Sequence, residues 1–113
     1  MSSAKVRFLV DGAVSPGVVP GGVSVSLTDS GGSSNEVLRL SASGNVGLGV
    51  GAPTVNLHLT GAIRLAVIDE ASLPSAASTG EGALIFADTA SDGVRLAYSD
   101  GTDWRRVDTN LSL

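Results

Sequence analysis

The stretch Val46-Gly47-Leu48-Gly49-Val50-Gly51 alternates branched apolar residues with glycines at a strict period of two. Successive side chains of a β-strand point to opposite faces, so one face here carries Val and Leu and the other is bare. Glycine inside a strand costs conformational entropy and packs nothing, so three glycines in register indicate that another backbone approaches the bare face. A symmetry-related copy of this short chain is a natural source of that backbone. The alternative is a flexible glycine-rich loop, which seldom keeps Val and Leu in alternation.

The same alternation extends to both sides of this stretch. Apolar and polar residues alternate over residues 6–10, 23–27, 38–40, 55–60 and 63–65. Clusters of Gly, Pro, Asp, Ser and Asn separate these runs, and such residues favour turns. Short strands at regular spacing with turns between them predict an all-β chain.

The composition changes at residues 68–81, where Ser, Ala, Thr and Gly become frequent. This change predicts a linker or an exposed loop. Beyond it come three apolar runs. The turn at residues 99–103 separates the last two, and its Asp-Gly pair is typical of a hairpin. We therefore predict a β-rich, fibre-like N-terminal region at residues 1–67, the linker, and a small antiparallel β module at residues 82–113.

The chain is short of large side chains for a compact core of its own. It has 113 residues, of which 42% are hydrophobic but only 4% aromatic. A core shared between several copies would add buried area without adding residues. The net charge is −4 and no basic stripe is visible, so we expect no nucleic-acid partner.

No targeting or membrane segment is visible in the sequence. The residues after Met1 are small and polar, and no apolar run approaches the roughly 20 residues of a membrane span. Cysteine is absent, which excludes disulfides and thiolate sites. We expect a protein that enters its assembly without secretion and has no membrane partner.

The sequence shows no arrangement of residues that would carry out a reaction. Lys5, the only lysine, has no phosphate-binding context, and His58, the only histidine, lies on the polar side of an alternating run. Zinc needs several nitrogen or sulfur ligands, and this chain has one histidine and no cysteine. The acids Asp88, Asp92, Asp100 and Asp103 do not match a calcium loop, and turn chemistry accounts for two of them. We predict no catalytic residue, no cofactor and no metal.

Trp104, Arg105 and Arg106 are open to two interpretations. A tryptophan beside arginines could form a cation–π spot that recognises a sugar or a partner surface. Alternatively, Trp104 caps the small C-terminal core and the arginines are solvated or ion-paired neighbours. We favour the second interpretation, because a module with so few aromatics needs its tryptophan inside.

Two stretches of the chain resemble segments of bacteriophage structural proteins. Residues 37–64, with Leu-Arg, then Gly-Asn-Val-Gly-Leu-Gly, then Leu-His, resemble a segment that recurs in phage tail fibres and related trimeric surface fibres. Residues 82–107 resemble a second module common in phage structural proteins, and the run Ser-Asp-Gly-Thr-Asp-Trp-Arg-Arg at residues 99–106 carries most of that resemblance.

The resemblance implies a trimeric, β-structured virion component without enzymatic activity. Its strands would intertwine around a threefold axis, as a triple β-helix or a β-prism-like stalk. Long fibres carry many repeats and an anchoring domain, neither of which is visible here. We therefore expect a capsid decoration (cement) protein or short head spike that stabilises the capsid. The alternative is a tail-fibre component or a receptor-binding module for host surface glycans.

Specific residues follow from this interpretation. The predicted core of the homotrimer comprises Val46, Gly47, Leu48, Gly49, Val50, Leu57 and Leu59. The predicted docking site for the phage major capsid protein, or for a neighbouring virion protein, comprises Lys5, Arg7 and Phe8. The expected location is the virion, on the capsid surface or tail, after synthesis in the host cytoplasm.

Overall fold

The computed structural model describes residues 3–113, and over these residues the chain is predominantly β-structured. The prediction of a β-rich fold is confirmed. The chain divides into two compact units, Met1–Ala62 and Ile63–Leu113. The structure holds one copy of the chain, so the intertwined trimer stays a prediction.

The N-terminal unit is one five-stranded sheet in which the strands follow their order along the chain. Strands β1 to β4 are antiparallel, whereas β5 runs parallel to β4. The strands are β1 (Ala4–Val10), β2 (Gly21–Thr28), β3 (Ser34–Leu40), β4 (Val46–Leu48) and β5 (Leu57–Leu59).

Side-chain hydrogen bonds close the turns between these strands. In the β2–β3 turn, the Asp29 carboxylate accepts hydrogen bonds from the backbone N–H groups of Gly31 (2.9 Å) and Ser33 (3.0 Å). In the β3–β4 turn, the Ser41 hydroxyl accepts one from the Asn45 N–H at 3.2 Å. Asp and Ser compete well for backbone donors in this way, which explains why such clusters in the sequence mark turns.

The C-terminal unit is a four-stranded sheet, again in chain order, together with two short helical segments. Strand β6 runs parallel to β7, and the remaining pairs are antiparallel. The strands are β6 (Val67–Asp69), β7 (Leu84–Thr89), β8 (Gly93–Ser99) and β9 (Trp104–Arg106). A 3-10 turn (Glu70–Ser72) and helix α1 (Ala76–Thr79) lie between β6 and β7.

The segment predicted as a linker, residues 68–81, is part of the folded C-terminal unit. Ser75 caps α1, and its hydroxyl accepts a hydrogen bond from the Ser78 N–H at 3.4 Å. Ala76 is buried, and its carbonyl accepts a hydrogen bond from the Ser99 hydroxyl at 2.8 Å. The Ser and Ala residues that suggested a linker are small enough to let the helical turn lie directly on β8. Composition alone does not distinguish these two uses of small residues.

The apolar core lies entirely in the C-terminal unit. Among the described residues, the buried Ala, Ile and Trp side chains are those of Ala76, Ile85, Ala87, Ala97 and Trp104. In the N-terminal unit the only buried residues among those described are Ser24, Gly47 and Pro53. No helix within residues 3–113 is long and apolar enough to cross a membrane.

Candidate assembly surface

One face of the N-terminal sheet is made of two apolar rows, each of which crosses all five strands. The first row, in strand order, is Val6, Val25, Leu38, Leu48 and Leu59. The second row is Phe8, Val23, Leu40, Val46 and Leu57. On every strand the two rows are two residues apart, so their side chains share one face. We call these ten residues the N-terminal apolar face.

The N-terminal apolar face is open to solvent in the single chain. Phe8 is 85% exposed, Leu57 is 52% exposed and Leu48 is 41% exposed, and none of the ten residues is buried. Five strands about 4.8 Å apart, carrying two rows of side chains, give a patch of roughly 300–400 Å² in projection. This size is comparable to that of the largest apolar patch on a typical monomer, which is often functional. The sheet therefore lacks the second layer that would complete a core.

The opposite face of the same sheet is mainly polar, and its centre is covered by the chain's own groups. Ser24, in its centre, is only 3% exposed. Beside it, the Arg39 guanidinium lies 3.0 Å from the Glu36 carboxylate and 3.7 Å from that of Asp11. The buried strand residues of this sheet, Ser24 and Gly47, thus lie on the polar face, whereas no residue of the N-terminal apolar face is buried.

The glycines at positions 47 and 49 of the alternating stretch serve contacts within the chain. A Cβ on Gly47 would lie 2.2 Å from the Val50 carbonyl oxygen, and one on Gly49 would lie 2.6 Å from the Thr60 hydroxyl oxygen. Gly49 also has φ = +72°, a left-handed conformation that ends β4 at Leu48. Another backbone does approach the bare face, as predicted, but at Gly47 it belongs to the turn at Val50. These glycines therefore do not require a second copy.

Gly47→Ala is expected to destabilise the N-terminal unit, because the added methyl group collides with a backbone carbonyl that can move only with its turn. Overpacking of this kind typically costs about 1–3 kcal/mol. Gly21→Ala is the matched control, since a Cβ there meets nothing within 4 Å. Urea unfolding should show a lower midpoint for Gly47→Ala than for Gly21→Ala. Equal midpoints would contradict the close contact.

The predicted trimer-core residues separate into two groups in the structure. Val46, Leu48, Leu57 and Leu59 lie on the N-terminal apolar face, whereas Gly47 lies on the opposite face. Gly49 and Val50 follow the end of β4. The sequence reasoning missed the six members of this face on β1 to β3, which are Val6, Phe8, Val23, Val25, Leu38 and Leu40. Their alternation was visible in the sequence, but the alignment of their strands with β4 was not.

The three residues predicted to dock on the capsid do not form one surface. Arg7 and Phe8 are adjacent on β1, so Phe8 belongs to the N-terminal apolar face while Arg7 lies on the opposite face. Lys5 shares the side of Arg7, and both cations are exposed. A docking surface can therefore include Lys5 and Arg7 together, but not Phe8 with them.

Trp104 lies in the core of the C-terminal unit. Its side chain packs with Ile85, Ala87 and Ala97, and the residue is 7% exposed. The indole N–H donates a hydrogen bond to the Pro74 carbonyl at 2.8 Å. Buried in this way, the ring leaves no exposed face on which a sugar could stack.

The two arginines after Trp104 are held by carboxylates of their own unit. The Arg105 guanidinium lies 2.6 Å from the Asp100 carboxylate and 3.4 Å from that of Asp103. Arg106 pairs with Asp92 at 3.1 Å and with Asp108 at 3.2 Å. These pairs link β9 to the β8–β9 turn, to the β7–β8 turn at Asp92 and to the C-terminal segment.

Asp100 is expected to stay ionised to a lower pH than an ordinary aspartate. Its pKa is lowered from 3.8 to about 2, first by the hydrogen bond from the Asp103 N–H, then by that from Arg105 and by that from the Thr102 N–H. Because the folded-state pKa is depressed, the stability that this carboxylate contributes is present above its unfolded pKa and is lost as the pH falls toward 2. Carboxyl ¹³C NMR should place its midpoint near 2, and Arg105→Gln should raise it. An Asp100 midpoint near the ordinary value would contradict the hydrogen-bond geometry.

Within residues 3–113, no group of His, Cys, Asp or Glu side chains is arranged to hold a metal ion. No protein-family model matches the chain, and no curated protein shows significant similarity to it. The N-terminal apolar face is the feature that bears most directly on function.

Proposed function

We propose that the protein is a structural component of a bacteriophage particle and works as a homotrimer, with the N-terminal apolar face of each copy buried in a shared core. The exposed state of that face in the single chain is the observation that carries the proposal. Water disfavours ten contiguous apolar side chains on one surface, and their burial is a non-directional driving force for association.

The chemistry of the face suits contact between identical copies. All ten of its residues are Val, Leu or Phe, so two copies of the face meet without any like-charge pair. The charged groups of β1 and β3, such as Arg7 and Arg39, lie on the other side of the sheet. Like charges across an interface cost several kcal/mol, and this arrangement avoids that cost.

The width of the sheet is compatible with two or three copies and disfavours four. Five strands about 4.8 Å apart span about 19 Å, and packed sheets lie about 10 Å apart, so each sheet contributes a side-chain layer about 5 Å deep. Three such sheets, arranged as a triangular prism, each lie about 5.5 Å from the central axis. One layer of side chains fills the space between each sheet and the axis. Four sheets would leave the walls about 9.5 Å from the axis and a void between them. Two sheets face to face also fill their core, and the resemblance to trimeric fibres favours three.

The resemblance of residues 37–64 and 82–107 to phage structural segments supports a place on the virion. A trimer suits a threefold position of a capsid, where it contacts neighbouring copies of the major capsid protein and stabilises them as a decoration (cement) protein or short head spike. Lys5 and Arg7, exposed on the polar face of β1, are the proposed docking residues. Phe8, on the opposite face, is assigned to the shared core.

The solution mass of the unmodified chain tests the assembly. Light scattering without denaturant should give the mass of three chains of 11.2 kDa each. A stable monomer would overturn the shared core, and a dimer would replace the prism with two sheets face to face.

Particles that carry the chain test its place and role. Gold-labelled antibodies against the chain should mark the heads in electron micrographs, and label on the tail would assign the chain to a fibre instead. Removal of the protein should make particles release their DNA at a lower temperature, and also at low ionic strengths that intact particles withstand, and its addition should restore their resistance. Unchanged resistance after removal would exclude a cementing role.

A further inference from the structure

Strand β1 forms a long free edge of the N-terminal sheet. Within residues 3–113 the two sheets end in β1, β5, β6 and β9, and β1 has seven residues whereas each of the other three has three. Very short strands, prolines and bulges usually protect a sheet edge against pairing with another chain. β1 has no proline and pairs with β2 without a bulge. Its edge is therefore suited to take up a further strand.

Alternate residues of β1 form the backbone hydrogen bonds with β2. The Ser3 carbonyl accepts a hydrogen bond from the Thr28 N–H, and the Asp11 N–H donates one to the Pro20 carbonyl, both at 2.9 Å. Hydrogen-bonded positions alternate along an antiparallel pair, so the odd-numbered residues of β1 face β2. The even-numbered residues direct their N–H and C=O groups away from the sheet, where no other described strand pairs with them. These free-edge residues are Ala4, Val6, Phe8 and Val10.

Lys5 and Arg7 place positive charge on the polar side of this edge. Both side chains are exposed, and their cross-strand neighbours on β2 are serines. The carboxylates of Glu36 and Asp11 on this side of the sheet are paired with Arg39. Among the described residues of the N-terminal unit, Lys5 and Arg7 are therefore the cations that have no ion pair.

We propose that β1 takes up an extended segment of a neighbouring virion protein as an additional antiparallel strand, and that acidic side chains alternate along that segment. This inference rests on the virion role proposed above and specifies how Lys5 and Arg7 dock. Backbone hydrogen bonds to the free-edge residues would supply affinity, as in other cases of strand addition. Residues directly opposite each other have side chains on the same face, so carboxylates opposite Lys5 and Arg7 would complement their charge.

The charge of the edge disfavours a second copy of β1 as the added strand. The antiparallel register that pairs all the free-edge residues places Arg7 opposite Arg7 of the second copy. The next register in one direction places Lys5 opposite Arg7, and like charges directly opposite each other are destabilising. The next register in the other direction separates the cations but leaves one free-edge residue of each copy unpaired. The two cations thus protect the edge against its own copies and leave it open to an acidic segment.

The added strand does not compete with the shared core of the proposed trimer. It would extend the plane of the sheet beyond β1, whereas the core lies against the N-terminal apolar face. At a corner of the prism this plane continues outside the core, because the next sheet turns away from it. The edge and the apolar face can therefore be occupied at the same time.

A synthetic peptide tests the edge on the unmodified full-length chain. The peptide has the length of β1, seven residues, and alternates valine with glutamate, with valine at both ends. Paired with β1, its valines would bond to the free-edge residues and its glutamates would lie on the side of Lys5 and Arg7. With the peptide in excess, hydrogen exchange should slow at least about tenfold at the amides of Val6 and Phe8. The Arg7 amide, which already faces β2, should change less than about twofold. Unchanged exchange at Val6 and Phe8 would overturn the inference.

Methyl groups on the backbone nitrogens of the peptide give a matched control. In the proposed register the valine N–H groups point toward β1, whereas the glutamate N–H groups point to the outer side. Methylation of two valine nitrogens should weaken binding at least about tenfold relative to methylation of two glutamate nitrogens. Equal affinities of the two methylated peptides would overturn strand addition.

A pair of variants with the same change of charge tests the acidic character of the partner. Arg7→Glu should weaken binding of the glutamate peptide at least about fivefold and strengthen binding of the same peptide made with lysine. Arg64→Glu, at an exposed arginine of the C-terminal unit, should alter either affinity less than about twofold. Arg7→Glu should also bind more weakly than Arg64→Glu to particles from which the protein has been removed. Equal behaviour of the two variants in either assay would overturn the inference.

Light scattering on the same samples separates this inference from the proposed trimer. A three-chain mass without slowed exchange at Val6 and Phe8 would overturn strand addition and leave the shared core intact. A single-chain mass with slowed exchange would overturn the shared core and support strand addition.

Discussion

Val6→Asp is expected to convert the assembled protein into single chains. Val6 is 62% exposed in the isolated chain, so the substitution removes little packing within one copy. In the assembly, however, each copy would place a carboxylate in an apolar core. A polar group buried without a partner costs at least about 2 kcal/mol, which is about 6 kcal/mol for three copies, and about a 10⁴-fold loss of association.

Val14→Asp provides a closely matched control for that variant. Val14 is also 62% exposed, but it lies in the connection between β1 and β2 and outside the N-terminal apolar face. Light scattering across a concentration series should give the mass of one chain for Val6→Asp and the mass of three chains for Val14→Asp. Circular dichroism should show the same β-structure in both. A three-chain mass for both variants would contradict the shared core.

The alternation of the sequence predicted most of the strands, because the side-chain period of a strand is a local property, although the alternating run at residues 63–65 forms no strand. Alternation also specifies which residues of one strand share a face, as at Val6 and Phe8. It does not specify which strands are neighbours or how they are aligned, since these depend on long-range pairing. The two apolar rows became visible only when the register of β1 to β5 was known.

The sequence pattern also did not predict two features of the backbone. The alternating stretch from Val46 was predicted as one strand, but the left-handed conformation of Gly49 ends β4 after three residues. Glycine permits such a turn without enforcing it, so the pattern is compatible with both outcomes. Residues 68–81 form a packed segment and not a linker because Ala76 is buried against β8. That contact is long-range, so the local composition does not predict it.

Trp104→Ala is expected to unfold most of the C-terminal unit. The other buried apolar residues of this core are Ile85 and three alanines, so Trp104 supplies much of its volume. Truncation of a buried tryptophan costs about 3–5 kcal/mol. A unit of about 50 residues has a free energy of unfolding of roughly 3–8 kcal/mol, so removal of the indole eliminates most of that free energy. The ¹H–¹⁵N spectrum should lose the dispersed amide signals of β7 and β8.

Trp104→Phe separates the packing of the indole from its hydrogen bond. Phenylalanine keeps most of the apolar volume but leaves the Pro74 carbonyl without the donor that lies 2.8 Å away. The expected loss is about 1–3 kcal/mol, so this variant should stay folded with a lower urea midpoint. A recognition role for Trp104 predicts a different result, in which Trp104→Ala keeps a native spectrum and loses only ligand binding. Because the ring is 7% exposed, an intact spectrum for Trp104→Ala would contradict its place in the core.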